Sequence, residues 1–415
     1  MNLNLFIAKK IRGRGVSSTG NAIACVSVAI SIGVILMAVA ISEGFRKEIG
    51  KRAVGFTGEI LMTVPGMDYM NDIYPLKADL SYLPEIENIP EVRSVSEAAY
   101  KPGMIKSDRD VHGVMFKGVD STYSLDFFAD FLTEGSLPDF SGKRMSDEVL
   151  ISKRLATMLG LRTGESMTVY FIGEQVRARR LTVTGLYDIQ LENLDEKLAL
   201  MDIRQIRRLN GWEDHESSCL EITLGGDGSR GAERTRNRVY DEIGEIIMER
   251  DITADAPVVV SRIDEIYPGL FDWLALLDLN VLVVMVLMMA VAGFNMISGL
   301  LIILFERISM IGLLKSLGMR TSDICKVFVY RGGAIVLRGM LWGNAVALPL
   351  LAVQKWFKPF TLNPVNYFVN FVPVDLNLLH IIAVDVAAFV LMLLIMVIPS
   401  LFIARVSPDR TIRVS

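Results

Sequence analysis

GVSSTGNAIACVSVAISIGVILMAVAIS, residues 15–42, contains no charged side chain, and its centre from Ala22 to Ile41 is almost entirely apolar. A helix needs about 20 such residues to cross a hydrocarbon core about 30 Å thick, so the stretch reads as a membrane span. Leu279–Phe305 is a second uncharged run. Gly339–Gln354 is shorter, and extends back through Gly332–Leu337 if Arg338 is accommodated. Val386–Ala404 extends toward Leu376 if Asp385 is accommodated. Four transmembrane helices are therefore expected. Ala38-Val39-Ala40 resembles a signal-peptide cleavage site, but the run exceeds the usual apolar region and three more follow, so a retained span is expected.

Outward from these spans the composition changes. The chain is 51% hydrophobic and 22% charged. That is too apolar for one soluble domain and too charged for a chain wholly in lipid. Residues 45–272 read as a water-exposed domain. Lys and Arg in short flanks set orientation. Lys9, Lys10, Arg12 and Arg14 precede span one, while Arg307, Lys315, Arg320, Lys326 and Arg331 lie between spans two and three. Arg405, Arg410 and Arg413 follow span four, and only Lys355 and Lys358 lie between spans three and four. Both termini are thus expected in the cytoplasm and 45–272 outside. Arg46, Lys47, Lys51 and Arg52 cut the other way, but they open a long translocated domain, where the charge rule has little force.

The expected plan is a cytoplasmic basic N-terminus at 1–19, span one at 20–44, and an α+β periplasmic domain, inserted between spans one and two, at 45–272. Span two follows at 273–305, a cytoplasmic segment at 306–326 and span three at 327–354. A periplasmic loop at 355–375, span four at 376–404 and a cytoplasmic tail at 405–415 complete it. Leu3, Phe6, Ile7 and Ile11 share one face of a short N-terminal helix that suits the lipid interface or a simple basic anchor.

Within 45–272, Glu59–Val64, Ser166–Ile172, Arg179–Leu186, Leu220–Leu224 and Pro257–Ser261 read as strands. Ser152 starts a helix that Gly160 ends, Asp202 starts another that Gly211 ends, and Thr235–Glu249 forms a third. Two lobes, one inserted in the other, are expected. A net charge of −4 without a basic domain excludes nucleic acid as a partner. Cys25, Cys219 and Cys325 fall in different compartments of this plan, so neither a disulfide framework nor a Cys-rich metal site is expected. Residues 160–166, GLRTGES, lack the lysine of a phosphate-binding loop. His112, His215 and His380 are scattered; His215, beside Asp214 and Glu216, reads as a solvated loop residue, not a metal ligand. No catalytic residues and no cofactor are expected in this chain.

The segment after span two carries the functional signal. Ile308, Ile311, Leu314 and Leu317 form an apolar set, Gly318 can close the helix, and Thr321 or Ser322 can cap the next. A short amphipathic helix there either covers lipid or seats in a partner. From Glu306 to Gly318 the residues fit E-[KR]-x-x-x-I-x-[IL]-L-[KR]-x-[LM]-G, which resembles the coupling region of the FtsX-like ABC permeases, and among them the lipoprotein-releasing (Lol) permeases of Gram-negative inner membranes. Residues 41–45 (ISEGF), 151–164, 181–187 (LTVTGLY), 363–373 (NPVNYFVNFVP) and 404–413 (ARVSPDRTIR) extend the resemblance over nearly the whole chain.

The resemblance implies a non-catalytic permease subunit in the inner membrane, working as a homo- or heterodimer. ATP and Mg would be bound by partner ABC ATPase chains, contacted through Glu306, Arg307, Ile311, Leu314, Lys315, Leu317 and Gly318. It implies a lipoprotein substrate passed from membrane lipid to a periplasmic carrier. Only GEQVRAR, residues 173–179, stands where one subunit type of that family has a Pro-rich hook for the carrier. Alternatives are a macrolide-exporter-type efflux permease and a mechanical transducer regulating a cell-wall hydrolase.

Two features inside the spans complete the expectations. Gly20, Ala24, Ser27, Ser31 and Ala38 recur at helical spacing, as do Ala292, Asn295 and Gly299, and small residues let helices approach closely in lipid. Either they pack within the chain, or Ala24, Ser27, Ser31, Ala292, Asn295 and Gly299 line a substrate cavity. Arg338 and Asp385 fall near the same depth, where charges are costly, so an Arg338–Asp385 pair is expected.

Overall fold

The computed structural model describes residues 16–106, 111–173, 175–190, 195–227, 229–250 and 257–401. The expected N-terminal amphipathic helix, the basic N-terminal flank and the 404–413 tail lie outside the described residues. The chain divides into two compact units. The first has described residues 16–44, 273–360 and 372–401; the second has 45–272 and 361–371.

Among the described residues, four helices are long and apolar enough to cross a membrane. They run Val16–Thr57, Pro268–Glu306, Thr321–Phe357 and Leu378–Leu401. The first continues well beyond residue 44, because Phe45, Ile49, Ala53 and Phe56 repeat at helical spacing and are all buried. Gly58, at φ +74°, ends it, its N–H donating to Val54 O at 2.7 Å. The charges of that stretch lie on other faces and are paired: Arg46 with Glu233, Lys47 with Asp227, and Lys51 with Asp130, each at 2.9 Å.

In the first unit the helices meet through glycines. A Cβ on Gly339 would lie 2.8 Å from Cys25 O, and one on Gly343 would lie 2.6 Å from Ala29 O. The first and third helices therefore touch backbone to backbone, a contact only glycine permits. Gly332 and Gly333 of the third helix face Met396 and Leu393 of the fourth, and Gly293 of the second faces Ile395. Ser42 Oγ donates to Asp278 Oδ1 at 2.7 Å, tying the first helix to the second. Gln354 is buried, and its amide spans Phe360 and Val372, which organises the turn between the third and fourth helices.

Among the described residues, the second unit holds twelve strands: β1 Ile60–Thr63, β2 Leu76–Lys77, β3 Ser94–Lys106, β4 Val111–Val119, β5 Leu132–Gly135, β6 Glu148–Ser152, β7 Ser166–Phe171, β8 Arg177–Tyr187, β9 Leu198–Asp202, β10 Glu216–Ser217, β11 Cys219–Thr223 and β12 Val259–Arg262. The large sheet runs β12-β1-β11-β3-β4-β9-β6-β8-β5, and β7 pairs with both β3 and β8. Strands β3-β4-β9-β6-β8-β7 thereby close a ring. Its interior is filled by Ile105, Val114, Phe116, Val169, Phe171 and Val183, with Leu155 and Ile206 from two helices packed in.

Those two helices begin and end as their sequence requires. Ser152 Oγ accepts from Leu155 N and Gly160 is left-handed after Lys153–Leu159; Asp202 accepts from Arg204 N and Gly211 is left-handed after Ile203–Asn210. The other lobe packs β12, β1, β11 and the start of β3 against helix Arg230–Arg250, through Val239, Ile243 and Ile247. The ring is thus inserted, in sequence, within the first lobe.

Lys117 and Glu221 form a deeply buried ion pair in this unit. Lys117 is 0% exposed and Glu221 2%, with Nζ 2.7 Å from Oε2. Lys117 also donates to Phe56 O and to Tyr123 OH, while Tyr100 OH donates to Glu221. The ammonium thus sits at the C-terminal end of the first helix, where the helix dipole favours a cation. Burial alone would depress the Lys117 pKa, but Glu221 and Tyr123 outweigh it and hold the value above an ordinary lysine. Burial pushes the Tyr123 hydroxyl up to about 12.

Candidate functional site

The Glu306–Gly318 stretch folds as a break and a short helix. The second long helix stops at Glu306, Arg307 takes a non-helical conformation, and Ile308–Ser316 forms a separate helix. Its end is a Schellman cap: Met319 N donates to Leu314 O and Gly318 N to Lys315 O, both at 3.0 Å, with Gly318 at φ +85°. The next helix starts at Thr321 with Arg320 as N-cap, so neither Thr321 nor Ser322 caps it.

The faces of this helix differ from the expected set. Ile311 is 0% exposed and belongs to the unit's own core, with Leu314 packed partly against it. Leu313 at 59% and Leu317 at 75% are the exposed apolar residues. Ser309, Leu313 and Ser316 form one outward stripe of the helix, and Leu317, Gly318 and Arg320 after it and Glu306 before it are exposed as well. Ile311 therefore cannot seat in a partner without leaving its core. Of the expected set Ile308, Ile311, Leu314 and Leu317, Leu317 alone is exposed, and exposed Leu313 lies outside that set. Apolar periodicity alone does not say which of two neighbouring stripes the protein itself covers.

Among the small residues, Ala24, Ser31, Ala292 and Gly299 are buried. A Cβ on Gly299 would touch Ala24 Cβ at 3.4 Å, and Asn295 Nδ2 donates to Ser27 Oγ at 2.6 Å. The first and second helices thus pack on each other through Ala24 with Gly299 and Ser27 with Asn295, the first of the two alternatives. The outward stripe of the first helix is Ile23, Val26 and Ile30.

The expected Arg338–Asp385 pair is not formed. Asp385 Oδ2 accepts from Asn344 Nδ2 at 2.8 Å, and Arg338 is exposed. Six residues of helix separate 338 from 344, about 9 Å of rise and a rotation to another face. The contact places Asp385 level with residue 344, so neither the depth nor the facing expected for Arg338 is met. The hydrogen-bond partner was legible only as one more polar residue, Asn344, in an apolar run.

Elsewhere, His215 is largely exposed with Nδ1 3.2 Å from Glu97 Oε1. Among the described residues no group of three His, Cys, Asp or Glu side chains is placed to hold a metal ion.

Four helices long and apolar enough to cross a membrane, a large α+β unit and a short capped helix between the second and third of them are the plan of a multi-pass membrane protein. Residues 22–239 match the model of the MacB-like periplasmic core domain, and residues 282–408 match that of the FtsX-like permease C-terminal domain. The chain belongs to this family of ABC transporter permeases. It is 20% identical over 406 residues to the lipoprotein-releasing system transmembrane protein LolC of Xylella fastidiosa (strain 9a5c), covering 93% of this chain and 92% of that one. It is 21% identical over 411 residues to the LolE protein of Haemophilus influenzae, with the same coverage. Among solved structures, the periplasmic region of MacB from Actinobacillus actinomycetemcomitans aligns with a TM-score of 0.34 and 12% identity, over 52% of this chain and 94% of that one. The extracellular domain of the ABC-type transporter YknZ aligns with a TM-score of 0.33 and 15% identity, over 49% of this chain and 99% of that one.

Proposed function

We propose that this permease draws lipoproteins out of the inner membrane for passage to a periplasmic carrier, driven by ABC ATPase subunits that bind ATP and Mg. The observation that carries the reading is the alignment over 93% of the chain with proteins named for lipoprotein release. The 45–272 unit would lie in the periplasm and both termini in the cytoplasm, as the flanking Lys and Arg argue.

The ATPase would seat on Leu313 and Leu317, rimmed by Glu306, Ser309 and Arg320. Its ATP-driven closure would move the Ile308–Ser316 helix, and through it the spans and the periplasmic units of two permease chains. Because β7 ends at Phe171 and β8 begins at Arg177, no hook stands between them, and carrier docking falls to a second, different permease chain. The small-residue seam is internal, so cargo would enter along exposed stripes such as Ile23, Val26 and Ile30.

A second reading, efflux of the macrolide-exporter type, draws on the MacB-like description of residues 22–239. Purification of the complex in its native membrane lipid, followed by mass spectrometry, separates the readings. Bound triacylated lipoprotein supports release. A cell-wall hydrolase without lipoprotein, or ATP-dependent efflux of a small hydrophobic drug without lipoprotein, overturns it.

A further inference from the structure

On the outer face of the ring, β3, β4 and β9 present apolar side chains where a solvent-facing sheet surface is ordinarily polar. Register puts Pro102 opposite Met115 and Met104 opposite Gly113, with Leu198 beside Met115. Met70 and Ile172 rise on either side, and the groove they enclose has a volume of about 420 Å³. That size lies within the range of about 300–1,000 Å³ found for small-molecule sites. Gly113 makes the trough: a Cβ there would meet no atom within 4 Å. Met104 and Ile172 are exposed, and the lining's one charged side chain, Lys197, is exposed as well.

The chemistry of the lining selects its occupant. Strand β4 is paired with β3 over Val111–Gly118 and with β9 from Met115 onward, and β3 is also paired with β7 at Gly103–Ile105. The backbone donors and acceptors of these strands point within the plane of the sheet, toward neighbouring strands, and not into the face that forms the groove. A peptide laid in the groove would bring one donor and one acceptor per residue and find no partners for them. A hydrocarbon chain brings none. A protein partner of ordinary kind contacts roughly 20–30 residues on each side, whereas ten residues line this groove. Methionines adapt to a flexible chain better than branched side chains do. The ammonium of Lys197 supplies the complementary charge for an anionic head.

We infer that this groove binds a long-chain fatty acid, its hydrocarbon tail over Gly113 among Met70, Met104 and Met115, and its carboxylate at Lys197. The inference goes beyond the transport reading and stands or falls without it, because it concerns a groove within the α+β unit and names a ligand distinct from the cargo.

The test uses the full chain in nanodiscs and a palmitic-acid analogue with a diazirine at the tail end. After irradiation, peptide mapping is expected to find adducts on Met70, Met104 or Met115, competed by palmitate and more weakly by hexadecanol. Gly113→Trp fills the trough without a clash and is expected to cut labelling about tenfold, the effect of losing one buried chain segment. Lys197→Glu is expected to abolish the preference for palmitate over hexadecanol. Should Gly113→Trp lower the melting temperature, Ile172→Lys, at an exposed position, replaces it. Labelling confined to the apolar helices, labelling unchanged in the groove variants, or capture of a triacylated peptide in place of the fatty acid each overturns the inference. Release of lipoprotein is scored separately, so failure of one reading leaves the other testable.

Discussion

Two leucines and an isoleucine on one short helix should separate partner binding from folding. Ile311 is 0% exposed, whereas Leu317 is 75% exposed. Ile311→Ala removes buried methyl groups and should cost about 2–5 kcal/mol of stability. Leu317→Asp changes a surface position and should move stability by no more than about 0.5 kcal/mol. If Leu317 is buried by the ATPase, its loss removes about 1.5–3 kcal/mol of binding. At about 1.4 kcal/mol per decade, affinity should fall from roughly tenfold to more than a hundredfold. Leu313→Asp should behave as Leu317→Asp does. The assay pairs thermal unfolding of the full chain in nanodiscs with titration of the ATPase subunit. The reasoning fails if Leu317→Asp melts as low as Ile311→Ala, or if it binds the ATPase with unchanged affinity.

Other contacts give further expected outcomes. A double-mutant cycle on Asn344 and Asp385 should show a coupling of about 0.6–1.7 kcal/mol, as for other interhelical hydrogen bonds in membranes. Arg338→Ala and Asp385→Ala should instead add within about 0.5 kcal/mol, which thermal melts of the four proteins would check. Gly343→Val should destabilise by about 1–3 kcal/mol, since the added Cβ meets a backbone carbonyl that cannot turn away; unchanged melting would contradict the 2.6 Å approach. Glu221→Gln should cost about 3–5 kcal/mol by leaving the Lys117 ammonium buried without its counter-charge. Because the Lys117 pKa is raised on folding, the pair's stabilisation is complete below about pH 10 and is lost as pH rises through the folded value. Melts across the alkaline range should show that loss in the parent chain and a shallower one in Glu221→Gln.

Local signals were the legible ones. Ser152 with Gly160 and Asp202 with Gly211 could be read as helix ends because each cap bonds to residues two to four positions away. Uncharged runs exposed the spans for a similar reason, as lipid acts on each side chain separately. Strands β3 and β4 were not legible. Pro102 and Gly103 argue against a strand, yet Pro102 lies where β3 has left β11 at Ala98 and not yet met β7 at Gly103, so one edge has no ladder to lose. Lys101 and Lys117 read as solvent-facing, and only the distant Asp72 and Glu221 make them buried residues. At the Ile308–Ser316 helix, composition gave an amphipathic segment, but the choice between Ile311 and Leu313 depended on where the neighbouring helices lie.

Strand β3 changes partners midway: Ser94–Ala98 lie against β11, and Ala99–Lys106 against β4. Its second half can pair as soon as the following hairpin is synthesised. Its first half must wait for Cys219–Thr223, after the entire inserted ring has left the ribosome. Assembly should therefore proceed from the inside outward, the ring before the lobe that encloses it in sequence. During that interval the Ser94–Ala98 edge stands open, and open edges invite pairing between chains. Long-range pairing of this kind is slow to form. The same strand makes the two lobes unfold together, since neither can release β3 without fraying the other.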